Sequence, residues 1–224
     1  MIDTGMNRLG LDPQEVSAEL LNGLDLHTLM SHLACADEDH PLNDRQRAAF
    51  RAIAGRVPAR RYSLANSAGI LLGGDYAFDL TRPGLALYGG IARPEAAGKI
   101  AQVVRPHAQV LQTRRVRAGE SVGYGATYVA PDERRAAILN LGYADGYLRG
   151  FSGTGGVLHE GQRLPLIGRV SMDLIAVDVS EAPALVEGDW LEIDYDLSAA
   201  SQQSGLSQYE LLTGLSERLH RFWI

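Results

Sequence analysis

A handful of polar residues stand where they could do chemistry. Tyr124 lies between two glycines in VGYGATY, so its backbone has room and its phenol has reach. A tyrosine so placed can serve as a base if a nearby cation favours the phenolate, because at a pKa near ~10 only about one phenol in a thousand is ionised at neutral pH. Arg8, just after the DTG turn, and Arg82, just before Pro83-Gly84, are cations able to meet an anion, and His32 in SHLA is able to carry a proton. Asn66-Ser67, where SLANS ends and a helix begins, and the pair Gly84-Leu85 offer backbone N–H groups and small side chains to an anion such as phosphate. Each has an ordinary reading as well. The arginines suit surface ion pairs, His32 a satisfied core position, Ser67 a helix cap, Gly84 a plain turn and Tyr124 a surface aromatic. Spacing alone therefore supports an α/β domain with a phosphate site.

The elements that must position these residues alternate over the first ~95 positions, as in βα units around a parallel sheet. Asp12-Pro13-Gln14-Glu15 opens a helix running to Asn22-Gly23, with a cap, a proline at the first helical position and a glutamate three residues after the cap. HTLMSHLACA reads as a buried strand, and Asn43 as the cap of a second helix, DRQRAAFRAIAG. RRYSLANS is a short strand leading into AGILLGG, and FDLTRPGLALYGG starts as a strand. Polar residues at the C-terminal ends of such strands are where sites of this fold type gather. Past Lys99, strand follows strand directly, broken by glycine turns. GYADGYLRGFSGTGG reads as a flexible loop, and Ser207-Gln208-Tyr209-Glu210 as a capping box that opens YELLTGLSERL. The expected organisation is a βα domain over residues 1–98 and a mainly β domain over 99–224. Four or so βα units are too few to close an eight-stranded barrel and leave a sheet edge to be covered.

Composition narrows the function classes. The 224 residues carry a net charge of −6 and 46% hydrophobic residues, enough for one large domain or two small ones. An acidic chain whose arginines are scattered argues against a nucleic-acid partner. The single cysteine, Cys35, excludes an intrachain disulfide and suits the cytoplasm. No apolar run approaches the ~20 residues of a membrane span, and no signal peptide is visible. No metal site is expected. The glycine-rich stretch lacks a Gly-Lys-Ser/Thr ending, so a nucleotide P-loop is not expected either. Lys99 is the only lysine among 21 basic residues.

IDTGMNRLG, SHLACADE, SLANSAGILL, TRPGLALYGG, VGYGATY, LNLGYADGY, GRVSMDLIAVDV and YELLTGL occur in this order. Together they resemble the alanine racemase family from mid-chain to the C-terminus, over essentially all 224 residues. The resemblance implies the second half of a (β/α)8 TIM-type barrel followed by a mainly β domain. It implies pyridoxal 5'-phosphate as cofactor, a homodimer with shared active sites, and interconversion of L- and D-alanine through a cofactor Schiff base by two-base proton transfer, to supply D-alanine for peptidoglycan. Tyr124 matches the family's catalytic tyrosine, His32 the histidine that bonds it, and Arg82 the arginine facing the pyridine nitrogen. Arg8 matches the arginine near the cofactor hydroxyl and substrate carboxylate. Asn66, Ser67, Gly84 and Leu85 match the phosphate-binding region. Met172, Asp173 and Tyr143 match the positions that line the way in for substrate. Two departures accompany the match. The family's cofactor lysine belongs before Met1, and Lys99 matches no such position, so this chain alone is expected to be inactive, with the cofactor absent or held non-covalently. A tyrosine that touches the phosphate is replaced by Glu217, with Tyr209 nearby. A racemase of broader amino-acid specificity and a non-catalytic, racemase-derived binding or assembly module are the alternatives.

Overall fold

The computed structural model describes residues 1–17 and 19–223. The chain divides into two compact units, Met1–Ala101 and Gln102–Ile224.

In the first unit, strand β1 (Thr28–Met30) and strand β2 (Arg61–Ser63) pair in parallel, with Leu29 opposite Tyr62. The helix between them, α1 (Pro41–Ala54), has Pro41 in its first turn and Arg51 in its last, the arrangement that suits orphan N–H groups and the helix dipole. It buries Asn43, Gln46, Phe50 and Ile53, a spacing that keeps them on one face. Phe50 is fully buried and meets the Phe78 ring edge-on at 4.9 Å. A short helix, α2 (Ser67–Leu71), follows β2.

Several local expectations are corrected here. The cap of α1 is His40, whose Nδ1 accepts from the Leu42 amide at 3.1 Å. Asn43 instead turns inward and donates to the carbonyls of Cys35 and Glu38. The helix expected over residues 12–22 does not form over the described residues, with residue 18 lying outside them. Asp12 does make the first turn, accepting from Gln14 at 2.7 Å. Leu20 remains 49% exposed and Val16 and Leu21 are only partly buried against the core, so the nucleated turn gains too little to propagate. The strand expected at FDL is a plain turn between two 3₁₀ turns, Gly74–Tyr76 and Leu85–Tyr88, with a single parallel bridge between Asn66 and Arg82.

The second unit is built on a closed antiparallel barrel. Its strands are β3 (His107–Val116), β6 (Arg134–Leu139), β7 (Gly156–His159), β8 (Gln162–Ile167), β9 (Ile175–Asp178) and β10 (Trp190–Ile193), around the ring in the order β10-β3-β6-β9-β8-β7. Val110, Leu139, Val157, Leu164, Val177 and Leu191 fill its interior. Two further strands, β4 (Ser121–Val122) and β5 (Tyr128–Val129), form a separate antiparallel pair that carries the Tyr124 turn. The glycine-rich GYADGYLRGF segment is not a flexible loop. Tyr147 and Phe151 are buried and stack with centroids 4.3 Å apart. Asp196 caps α3 (Leu197–Ser204), and the Ser207/Glu210 capping box opens α4 (Gln208–Thr213) as its sequence predicts.

Candidate functional site

In the first unit the polar residues converge on Arg82. Its Nη1 donates to Ser63 Oγ at 2.5 Å, and its Nη2 donates to the Ser31 carbonyl at 2.8 Å, the Leu64 carbonyl at 3.3 Å and His32 Nδ1 at 3.3 Å. The ends of β1 and β2 therefore set this cation in place. Nε and one Nη1 hydrogen have no partner among the described residues, so the group can still donate to a ligand acceptor. An arginine in this role has no lone pair to offer. His32 Nδ1 must accept, and the imidazole proton sits on Nε2. Burial, then the charges of Arg82 and Arg8, push the His32 pKa down, and the ring is neutral at pH 7.

Gln46 was not identified from sequence. Its amide donates to the His32 carbonyl at 2.9 Å and accepts from the Ala34 amide at 2.9 Å, fixing the backbone on both sides of the histidine. A signal was present: an amide side chain on the buried 43/46/50/53 stripe of α1 is costly unless hydrogen-bonded.

His32 gives a pH prediction. Its folded pKa lies below the unfolded value of about 6.5, so the unfolded chain takes up a proton first. The stability that depends on neutral His32 is complete above about pH 6.5 and falls as the pH drops toward the folded value. Denaturation midpoints of wild type and His32→Gln, compared from about pH 7.5 down to about pH 5, will show a shallower acid loss in the variant. Equal slopes would refute the assignment.

Asn66 caps α2, its side-chain oxygen accepting from the Gly69 amide at 2.9 Å. Ser67 Oγ accepts from the amides of Gly84 at 2.9 Å and Ala86 at 3.2 Å, which ties the Leu85 turn to the start of α2. With both bonds accepted, the Ser67 hydroxyl proton is left to donate to an anion oxygen. Arg8 is exposed, and its guanidinium has no partner among the described residues. Its backbone is anchored, because Asp3 accepts from the amides of Gly5, Met6 and Arg8. Those bonds, led by the one from Gly5, hold the Asp3 carboxyl below its ordinary range.

The second unit carries the other candidates. Tyr124 is 65% exposed, on a turn between Gly123 (φ 76°) and Gly125 (φ 72°). Such φ values favour glycine. Arg169, also unidentified from sequence, lies against this turn: a Cβ on Gly125 would sit 3.3 Å from its Nη1. Tyr143 and Met172 come together. The Tyr143 amide donates to the Ser171 carbonyl at 3.0 Å, and the Ala144 amide donates to the Met172 carbonyl at 2.9 Å. Gly142 is required where the two turns touch, because a Cβ there would lie 2.3 Å from the Met172 carbonyl oxygen. The Arg149 guanidinium covers the Tyr143 ring at 5.3 Å. Asp173 is paired with Arg218 at 2.7 Å. Glu217 and Tyr209 lie in the C-terminal part of this unit, both exposed.

The chain belongs to the alanine racemase family, as matches over nearly its whole length show. The family model for the alanine racemase N-terminal domain matches residues 1–92, and that for the C-terminal domain matches residues 103–223. Among curated relatives, the alanine racemase of Rhodospirillum rubrum is 44% identical over 233 residues, covering 98% of this chain and 62% of that protein. A catabolic alanine racemase of Mesorhizobium japonicum is 43% identical, covering 100% of this chain and 61% of its own length. The chain thus spans about three-fifths of these relatives. Among solved structures, alanine racemase from Bartonella henselae with covalently bound pyridoxal phosphate superimposes with a TM-score of 0.87 at 37% identity, covering 100% of this chain and 65% of that one.

Proposed function

We propose that this chain forms the greater part of an alanine racemase, bearing the proton-handling tyrosine, the cofactor-facing arginine and histidine, and the substrate-facing turns. The observation that carries the reading is the Arg82–His32 pair, a cation with free donors locked beside a neutral imidazole.

Pyridoxal phosphate, when bound, supplies the electron sink that spreads the charge left as the Cα proton of alanine departs. The donors present fit such a group. The free Arg82 hydrogens suit an aromatic nitrogen, and because the guanidinium keeps its own proton it leaves that nitrogen uncharged. The Ser67 hydroxyl suits a phosphate oxygen. Tyr124 Oη takes the Cα proton on one face and returns it there in the reverse direction. The Met172 amide has no partner among the described residues and suits the substrate carboxylate. A second base is needed on the opposite face. Lys99 is exposed and follows a 3₁₀ turn (Pro94–Ala96), its amide bonded to the Ala96 carbonyl, and it is not assigned this role.

With this reading go a half-barrel in the first unit, a homodimer with shared sites, a cytoplasmic location and a role in supplying D-alanine for peptidoglycan. The β1–α1–β2 unit with its parallel pairing supports the first, and the single cysteine supports the location. The test is chiral analysis of alanine incubated with pyridoxal phosphate and the full gene product. Progress from L-alanine to an equal mixture of enantiomers is expected, with none from the 224-residue chain alone. No D-alanine from the full product overturns the reading, and turnover by the 224-residue chain overturns the assignment of Lys99.

A further inference from the structure

Arg218 stands past the end of α4, in the segment that follows the capping-box helix. Its Nε lies 3.2 Å from Asp145 Oδ1, and its Nη1 lies 2.7 Å from Asp173 Oδ1. One guanidinium therefore bridges two carboxylates from two different turns. The Asp145 side chain is 5% exposed, and its other oxygen accepts from the Gly142 amide at 2.9 Å. The Arg218 segment is itself tied to the same corner: the Ser216 amide donates to the Asp145 carbonyl at 3.1 Å, and the Arg218 amide to Ser216 Oγ at 3.0 Å. Gly146 takes φ 97° so that the 214–215 backbone can close on it, and a Cβ there would meet the Gly214 carbonyl at 2.3 Å.

Three segments distant in sequence thus share one fastening. The turns that carry Tyr143 and Met172 are otherwise joined by two backbone hydrogen bonds and the close approach at Gly142. A planar fork with five donors can serve both carboxylates at once, whereas an ammonium is a point charge. Without it, Asp145 would be left buried with no countercharge, and Asp173 would lose the link that ties its turn to that corner.

We propose that Arg218 is a positioning residue for substrate: by bridging Asp145 and Asp173 it holds the Met172 amide turn against the Tyr143 turn at a fixed distance. The inference rests on the racemase reading for what Met172 faces, and on the two ion pairs for the fastening itself.

Amide hydrogen exchange of the 224-residue chain tests the fastening. Arg218→Met will speed exchange at Tyr143 and Ala144 by about tenfold, between what an exposed and a buried ion pair give, while the barrel amides of Ala137 and Val177 stay as in wild type. Arg218→Lys will recover part of the protection. In the full gene product the same Met variant will raise KM for alanine by about tenfold, with kcat changed far less, and the Lys variant will again fall between. Unchanged exchange at Tyr143 and Ala144 overturns the proposal, as does faster exchange spread evenly over the barrel, which marks a general loss of stability. Local loosening with an unaltered KM also overturns it. Absence of racemisation by the wild-type full product refutes the racemase reading instead, and leaves the exchange result to judge the fastening separately.

Discussion

Replacing Tyr124 by phenylalanine in the full gene product is expected to lower kcat for alanine racemisation by about 10²–10⁴, the usual worth of one positioned acid–base group. The substitution keeps the ring and removes only Oη. The turn that presents it depends on Gly123 and Gly125 at positive φ, so the backbone is unaffected and the loss is chemical. Tyr124 is 65% exposed in this chain, and its hydroxyl has no partner among the described residues. Nothing in the fold therefore depends on that hydroxyl. A second feature sharpens the experiment. The equilibrium constant between enantiomers is fixed by symmetry, so kcat/KM must fall by the same factor for L- and D-alanine. Equal losses in both directions, with thermal stability unchanged, are the expected signature. A loss smaller than about tenfold would mean that the proton leaves and returns by another group.

Phe151→Ala is expected to destabilise the chain by about 3–5 kcal/mol, the range for removing a buried aromatic ring. That is a large share of the about 5–15 kcal/mol that holds a typical domain. Phe151 is fully buried, stacked on Tyr147 at 4.3 Å and inclined to Tyr195 at 5.9 Å. Burial also raises the Tyr195 pKa to about 12, and the ring cluster stays uncharged over the whole useful pH range. Chemical denaturation will show the midpoint lowered, and Phe151→Leu will cost less because it leaves a smaller cavity. A loss below about 1 kcal/mol would mean that this segment is peripheral to the core.

Local signals were legible where the physics is local. The Ser207/Glu210 capping box forms as its spacing predicts, because both partners lie within one turn. The body of α1 was legible as DRQRAAFRAIAG, although its cap is His40 and not Asn43. Asn43 has the cap-former's chemistry, but the carbonyls of Cys35 and Glu38 need its amide more. The helix expected from the Asp12 cap stops at its first turn, since a cap starts a helix that packing must extend. GYADGYLRGF misled through its glycines. Gly142 and Gly146 are there for close backbone approach, not for mobility, and Tyr147 and Phe151 after them belong to the core. At the candidate site, the family motifs supplied the residues that would face ligand. Gln46, Arg169 and Arg218 escaped, because each acts on partners far away in sequence and leaves no pattern in its own neighbourhood.

The closed ring has a consequence for the order in which the chain can acquire structure. β10 supplies the seam, pairing with β3 on one side and with β7 on the other. At about 5–20 residues per second of synthesis, a nascent chain has already made β3, β6, β7, β8 and β9 before Trp190 leaves the ribosome. During those seconds it carries an open sheet with two bare edges, the template for pairing with a neighbouring chain. The latch is four residues long and pairs the last strand of the barrel with the first, a non-local contact that forms slowly. Yield in the cell will therefore follow how soon Trp190–Ile193 is delivered to that gap, and slowing translation just ahead of it will cost more soluble protein than slowing it anywhere within the earlier strands.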